Sequence, residues 1–121
     1  MQDSLTKFGR EMQELMFQPD ALLIYRLVLN DNSGDQAEVQ RIFLENGPHK
    51  ITRVLSNYLR NQSAKHALQI EDYDLAAYQF IEMIKGPMYF KALFGDAVCK
   101  QEREQALAQA TRIFLKGIMP C

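Results

Sequence analysis

Cysteine is nearly absent from this sequence, and histidine is equally scarce. Cys99 and Cys121 are the two thiols in 121 residues, too few and too peripheral for a disulfide framework. His49 and His66 each lack a second ligand three or four residues away on the same helix face, so we expect no zinc pair. The sequence therefore predicts a cytoplasmic protein with reduced thiols and with neither a metal nor another cofactor.

Long apolar segments and an excess of one charge are also missing. The longest nearly continuous apolar run, 21–29, contains Arg26 and is far shorter than the roughly 20 residues that a bilayer span requires. Charges at Asp3 and Lys7 interrupt the first segment, which therefore does not resemble a signal peptide. The 14 basic residues are balanced by 15 acidic ones and are scattered over polar faces, so we expect these residues to bind neither a membrane nor DNA.

A catalytic constellation is a third absence. Cys99 has Lys100 beside it, but no histidine and no C-x-x-C partner. The glycines are isolated and form no phosphate-binding loop, and the carboxylates lie on polar helix faces, where charge usually serves solvation. A small helical enzyme would need a titratable cluster that the sequence does not offer, so we expect no enzymatic activity.

Helical periodicity is what the sequence does contain, whereas strand signals are nearly absent. It predicts a single all-α domain over 1–121, a bundle of six to seven helices. The predicted helical segments are 4–17, 19–29, 35–45, 48–65, 72–95 with a kink at Gly86-Pro87, and 100–118. The second of them is apolar almost all round, which places it in the middle of the bundle.

Methionine and aromatic side chains are unusually frequent on the faces that should point inward. Such side chains give broad, adaptable contact and suit a pocket for an apolar ligand, although they could equally form plain core. The predicted pocket lies between the early helices and the Gly86-Pro87 kink. Its predicted lining is Phe8, Met12, Tyr25, Tyr58, Met83 and Phe90.

A series of short motifs extends over nearly the whole chain, from about residue 16 to residue 120. They are LLIYRLV at 22–28, IFLENGP at 42–48, DLAAYQF at 74–80, KG at 85–86, ALFG at 92–95 and IFLKG at 113–117. In this order and spacing the sequence resembles the C-terminal domain of TetR-family transcriptional repressors, in particular the AefR-like branch. Pro87 departs from the pattern, since the family more often has an acidic or small residue there.

The resemblance implies a homodimer in which the last two helical segments pack against their symmetry mates as a four-helix interface. Small residues that permit close helix approach and large apolar residues beyond the needs of one small core favour the same surface, although these side chains could instead fill the core of a single chain. The predicted interface residues are Ala76, Phe80, Ile84, Ala106, Ala110, Ile113 and Phe114.

The resemblance also implies a role for the domain. It would sense a small apolar or aromatic effector and relay the binding event to a helix-turn-helix domain. We expect that N-terminal domain to be missing from these 121 residues, because the first helix already matches the core domain; DNA would then be a partner only through it. A free-standing helical dimerisation or adaptor module without a ligand pocket is the alternative.

Overall fold

The computed structural model describes residues 1–31 and 34–120, and every regular element within these residues is helical. The part of the predicted loop at Asn32 and Ser33 lies outside the described residues, as does the Cys121 thiol. The all-α prediction is thereby confirmed. The helices are α1 (Gln2–Met16), α2 (Pro19–Leu29), α3 (Gln36–Asn46), α4 (Pro48–His66), α5 (Tyr73–Leu93) and α6 (Lys100–Ile118).

Three long helices enclose the core. The α5 helix packs between α4 and α6, and α1 lies across α6 and α5. The core that they share is aliphatic and aromatic, with the rings of Phe80 and Phe114 at a centroid distance of 5.0 Å. Its largest fully buried apolar side chains are Leu5, Leu55, Leu59, Phe80, Ile84 and Leu107. Removing these side chains from water is the main source of the stability of the bundle.

Local signals set the helix ends. The Asp72 carboxylate accepts a hydrogen bond from the Leu75 amide at 3.0 Å, which caps the start of α5. Pro19 and Pro48 stand at the first helical positions of α2 and α4, where no hydrogen-bond donor is needed. At the end of α4, Ala67 adopts a left-handed conformation with φ of 51°, which turns the chain towards α5. The prolines and Asp72 are readable in the sequence, whereas the left-handed Ala67 is not. The predicted bounds of α2 and α6 agree with the structure.

The position of α2 contradicts the prediction that this apolar helix lies in the middle of the bundle. Leu22 is its one buried residue, whereas Leu23, Ile24 and Leu27 are at least half exposed. The reason is topological: α2 contacts α1, α3 and α5, and no described element covers these exposed side chains. The apolar composition of α2 therefore predicts buried contacts on at least one face of the helix. It does not indicate how many of its faces the same chain covers.

Candidate functional site

Four aromatic side chains form a continuous row that joins three helices. The ring of Tyr89 on α5 makes edge-on contacts with Phe17, at 5.6 Å between centroids, and with Tyr25 on α2, at 5.7 Å. Tyr25 in turn contacts Phe43 on α3 at 5.8 Å. We call Phe17, Tyr89, Tyr25 and Phe43 the aromatic row. Each such edge-to-face pair contributes about 0.5–1.5 kcal/mol in addition to the burial of apolar surface. The row thereby stabilises the contacts among helices that share few other core residues.

Cations lie over the faces of two rings of the aromatic row. The Lys85 ammonium is 5.0 Å from the centroid of the Tyr89 ring, and the Arg103 guanidinium is 5.9 Å from that of Phe17. Partial burial, with a smaller contribution from the neighbouring Tyr25 and Glu82, raises the pKa of Tyr89 to about 12. The Tyr89 phenol therefore keeps its proton at neutral pH and can act as a hydrogen-bond donor. The row offers flat apolar surface with donor groups at its edges.

The aromatic row lies beside a break in α5. Gly86 has φ of 55° and ψ of −169°, a conformation that suits glycine alone, and Pro87 follows it. The break divides α5 into a first half, residues 73–85, and a second half, residues 87–93. Tyr89 belongs to the second half, which the aromatic row connects to α2 and α3.

Two polar side chains hold the two halves of α5 by their main-chain carbonyls. Gln13 on α1, which is almost fully buried, donates to the Ile84 carbonyl at 2.9 Å and to the Arg103 carbonyl at 3.0 Å. Arg26 on α2 donates from Nε to the Leu93 carbonyl at 2.6 Å and from a terminal nitrogen to the Ala92 carbonyl at 2.8 Å. The Ala92 carbonyl also accepts from the Gly95 amide, so Arg26 adds a charged donor at the carboxyl end of α5, where its charge suits the negative end of the helix dipole.

Within residues 1–31 and 34–120, no group of three or more histidine, cysteine, aspartate or glutamate side chains could hold a metal ion. Among the helices of the same residues, none combines the length and the apolarity that crossing a membrane demands.

The six predicted pocket residues lie in different surroundings. Tyr25 belongs to the aromatic row, while Phe8, Met12, Tyr58 and Met83 are partly buried against the core. Phe90 is 68% exposed, because the helical phase is interrupted at Gly86 and the second half of α5 turns Met88 and Ala92 inward instead. The pocket stays a prediction, and the aromatic row is the place where the structure gathers rings beside the break.

The predicted interface residues are mostly covered by their own chain. Phe80 and Ile84 are fully buried, and Ala76, Ala110 and Phe114 are buried as well. Ala106 is partly exposed and Ile113 is 51% exposed. The interface itself stays a prediction. Ala76, Ile113 and Phe114 nevertheless border one surface along α5 and α6.

That surface is an open groove between α5, α6 and the connection before α5, with a volume of about 850 Å³. Leu75, Tyr78 and Ile113 stand half-exposed along it, and Gly117 contributes no side chain that would fill it. Met83, predicted to line the effector pocket, lies in this groove instead of in the aromatic row. Acidic Glu71, Asp72 and Glu82 also line the groove.

Sequence reasoning missed Gln13, Arg26 and Tyr89. Gln13 falls in the apolar stripe of α1, and a glutamine in such a stripe is the signal that could have identified it. Arg26 interrupts the otherwise apolar α2 in the same way. Tyr89 could not be assigned, because spacing counted from the first half of α5 does not carry across the break at Gly86.

Comparison with solved structures agrees on the fold. The chain superimposes on the Flavonoid-responsive Regulator FrrA with a TM-score of 0.86 at 24% sequence identity, over 99% of this chain and 61% of that protein. A structure described as a TetR-family transcriptional regulator of Mesorhizobium loti gives a TM-score of 0.87 at 19% identity, covering 99% and 60% of the two chains. A TetR transcriptional regulator from Agrobacterium tumefaciens gives 0.81 at 20% identity, covering 98% and 60%. The chain thus spans about 60% of the length of these regulators.

No individually curated protein sequence matches the chain significantly. The family described as the AefR-like transcriptional repressor, C-terminal domain, matches residues 3–117, which is nearly the whole chain. The motifs from the second helix to the closing IFLKG fall within this match. The chain belongs to the AefR-like C-terminal domain family of TetR transcriptional regulators.

Proposed function

We propose that this domain senses a small apolar or aromatic effector and, as a homodimer, relays its binding to a DNA-reading domain outside these 121 residues. The observation that carries the proposal is the aromatic row, which bridges α2, α3 and the second half of α5 beside the break at Gly86. A ligand that enters the row must part rings that now contact each other. It therefore acts directly on the relative positions of those helices.

The chemistry of the aromatic row favours a planar aromatic effector. Flat ligands can replace ring–ring contacts with stacked or edge-on contacts of their own, and the Tyr25 and Tyr89 hydroxyls can bond to oxygens on the ligand. The Flavonoid-responsive Regulator FrrA, similar in fold, has a name that describes a response to such molecules. A flavonoid is accordingly the first probe to use.

The effector site can be tested with quercetin as the probe, by calorimetric titration. Tyr25→Leu keeps an apolar side chain but removes the central ring of the row, and we expect it to weaken binding at least tenfold. Phe94→Ala is the matched control, because it removes a ring that is 84% exposed and outside the row. Equal affinity in the wild type and Tyr25→Leu would contradict the proposed site, and a set of planar aromatics with no binder at all would favour the adaptor alternative.

We propose the groove between α5 and α6 as the face that a second copy covers. Its half-exposed Leu75, Tyr78 and Ile113 are apolar, and apolar surface of this extent is usual at a subunit interface. A two-fold interface of this kind should bury more than roughly 1,000 Å² in total. The four-helix arrangement expected of the family would place this groove at its centre.

The dimer is tested by sedimentation at tens of micromolar. Ile113→Glu places a charge in the groove without disturbing the core, and we expect it to yield monomer. The matched control is Val54→Glu on α4, a residue that is 59% exposed and outside the groove, and it should remain dimeric. A wild-type protein that sediments as a monomer would refute the proposed dimer.

The relay follows from linkage. An effector changes the output of the protein only if it binds two arrangements of the helices with different affinity. We propose that the two arrangements differ in the position of α2 relative to the second half of α5, since the aromatic row connects these two elements. An effector that favours one arrangement would thereby bias the spacing of the DNA-reading domains in the dimer.

A further inference from the structure

The second half of α5 depends on contacts with other elements for its orientation. The break at Gly86 interrupts the helical backbone, and Pro87 has no amide hydrogen to bond to the carbonyl of the preceding turn. The orientation of residues 87–93 must therefore come from contacts with other elements. The side of the break towards residue 84 is fixed by the buried Gln13, which bonds to the Ile84 carbonyl.

The far end of that half is held by Arg26. Its guanidinium donates hydrogen bonds to both the Leu93 and the Ala92 carbonyl, at 2.6 and 2.8 Å. A side chain of α2 thereby caps the carboxyl end of α5. Charged donors form stronger hydrogen bonds than neutral ones, and a planar guanidinium that bonds twice also fixes an orientation. The two hydrogen bonds of Arg26 thus fix both the distance and the orientation of the second half of α5 relative to α2.

Arg26 and Tyr25 are neighbours in the chain and join the same two elements. Tyr25 contacts the ring of Tyr89 near the start of the second half, while Arg26 holds its end. The two contacts lie on one turn of α2, so a movement of α2 away from the second half of α5 parts the tyrosine rings and pulls the guanidinium away from its carbonyls together. The ring contact and the hydrogen bonds are therefore mechanically linked.

We infer that Arg26 is a latch that holds the second half of α5 against α2, and that an effector in the aromatic row acts by releasing it. The effector part of this inference rests on the proposed function, whereas the latch itself rests on the contacts of Arg26. Gly86 is the hinge of the motion, because its backbone angles depart from helical values and Pro87 has no amide hydrogen to form a helical bond. With the latch released, residues 87–93 move as a unit relative to the first half.

Amide hydrogen exchange measured by mass spectrometry tests the latch without any ligand. Arg26→Met keeps the aliphatic part of the side chain and removes the donors. We expect it to raise exchange at residues 90–94 at least tenfold while residues 76–84 change less than twofold. Arg53→Met, at an exposed position on α4, is the matched control and should change neither segment.

Arg26→Lys covers the case in which the methionine variant does not fold. It keeps the charge but cannot bond in the same forked geometry, and exchange at residues 90–94 should fall between the wild type and Arg26→Met. Exchange that is unchanged, or that rises equally in residues 76–84 and 90–94, would overturn the latch.

A second arm adds quercetin to the wild type and to Arg26→Met. If the effector acts through the latch, the ligand changes exchange at residues 90–94 in the wild type and has less than half that effect in the variant. An equal ligand effect in both proteins would overturn the release mechanism. No ligand effect in the wild type, together with a selective effect of Arg26→Met, would count against the proposed effector and leave the latch supported.

Discussion

Gly9 on α1 lies directly against Leu107 on α6, since a Cβ atom built at Gly9 would stand 2.4 Å from the Leu107 Cδ1 atom. Leu107 is fully buried and therefore has little space into which to withdraw. The absence of a side chain at Gly9 is what allows α1 to approach α6 this closely. The same pair of helices brings Arg10 and Glu104 into a bidentate ion pair, with nitrogen–oxygen distances of 2.8 and 3.0 Å.

Gly9→Ala should accordingly destabilise the protein, even though alanine is the better helix former. Overpacking a core contact costs about 1–3 kcal/mol, whereas the gain in helix propensity is about 1 kcal/mol. Urea unfolding should therefore show a net loss of about 1 kcal/mol. The same substitution in a Leu107→Ala background, where the opposing atoms are gone, should be neutral or stabilising, and additive effects in the double variant would argue against the close contact.

Gln13→Leu should destabilise the protein by about 2–3 kcal/mol. The substitution keeps the size of the side chain but deprives the Ile84 and Arg103 carbonyls of a buried donor. Gln40→Leu, at an exposed position on α3, is the matched control and should change the free energy of unfolding by less than about 0.5 kcal/mol. If both variants unfold at the same urea concentration as the wild type, the Gln13 amide does not hold α5.

Ser56 should set the titration of Asp74. The fully buried Ser56 hydroxyl donates to Asp74 Oδ1 at 2.6 Å and, together with the nearby Arg60, lowers the pKa of that carboxyl. Because the folded pKa is below the unfolded one, this contribution to stability is present above about pH 4 and is lost as the pH falls through the folded pKa. Ser56→Ala should raise the pKa of Asp74 in an NMR titration.

The pKa of Glu104 provides an internal control in the same experiment. The hydrogen bond and the charge of Arg10 lower the pKa of Glu104. Arg10 and Glu104 join α1 to α6, whereas Ser56 and Asp74 join α4 to α5. The pKa of Glu104 should be unaffected by Ser56→Ala. A pKa of Asp74 that does not move, or a pKa of Glu104 that moves by the same amount, would show that the serine has no specific effect.

Ionisation of Tyr89 should lower the stability of the folded protein at alkaline pH. Burial raises its pKa to about 12 in the folded protein, above the value of about 10 for an unfolded chain. The unfolded chain therefore loses this proton first, and the stability that the neutral phenol contributes below pH 10 is lost between about pH 10 and 12. Tyr89→Phe should flatten the decline of stability over this interval, as followed by circular dichroism. A decline in Tyr89→Phe that equals the decline in the wild type would contradict this role of Tyr89.

The sequence by itself determined the helical fold and the family. Periodic apolar residues, the prolines at the starts of α2 and α4, and the capping Asp72 are local signals, and they predicted the helical segments and several of their ends. The motifs from residue 22 to residue 117 indicated the family because together they match the family pattern at many positions.

Only the tertiary structure decided which side chains meet. Phe80, Ile84 and Phe114 are strongly apolar in the sequence, but only the packing of α5 against α4 and α6 shows that one chain already buries them. Likewise, no spacing rule crosses the break at Gly86, so the meeting of Tyr89 with Tyr25, and of Arg26 with the end of α5, could not be predicted. Periodicity specifies the direction of a side chain within one helix, whereas contacts between helices depend on distances that only the folded chain sets.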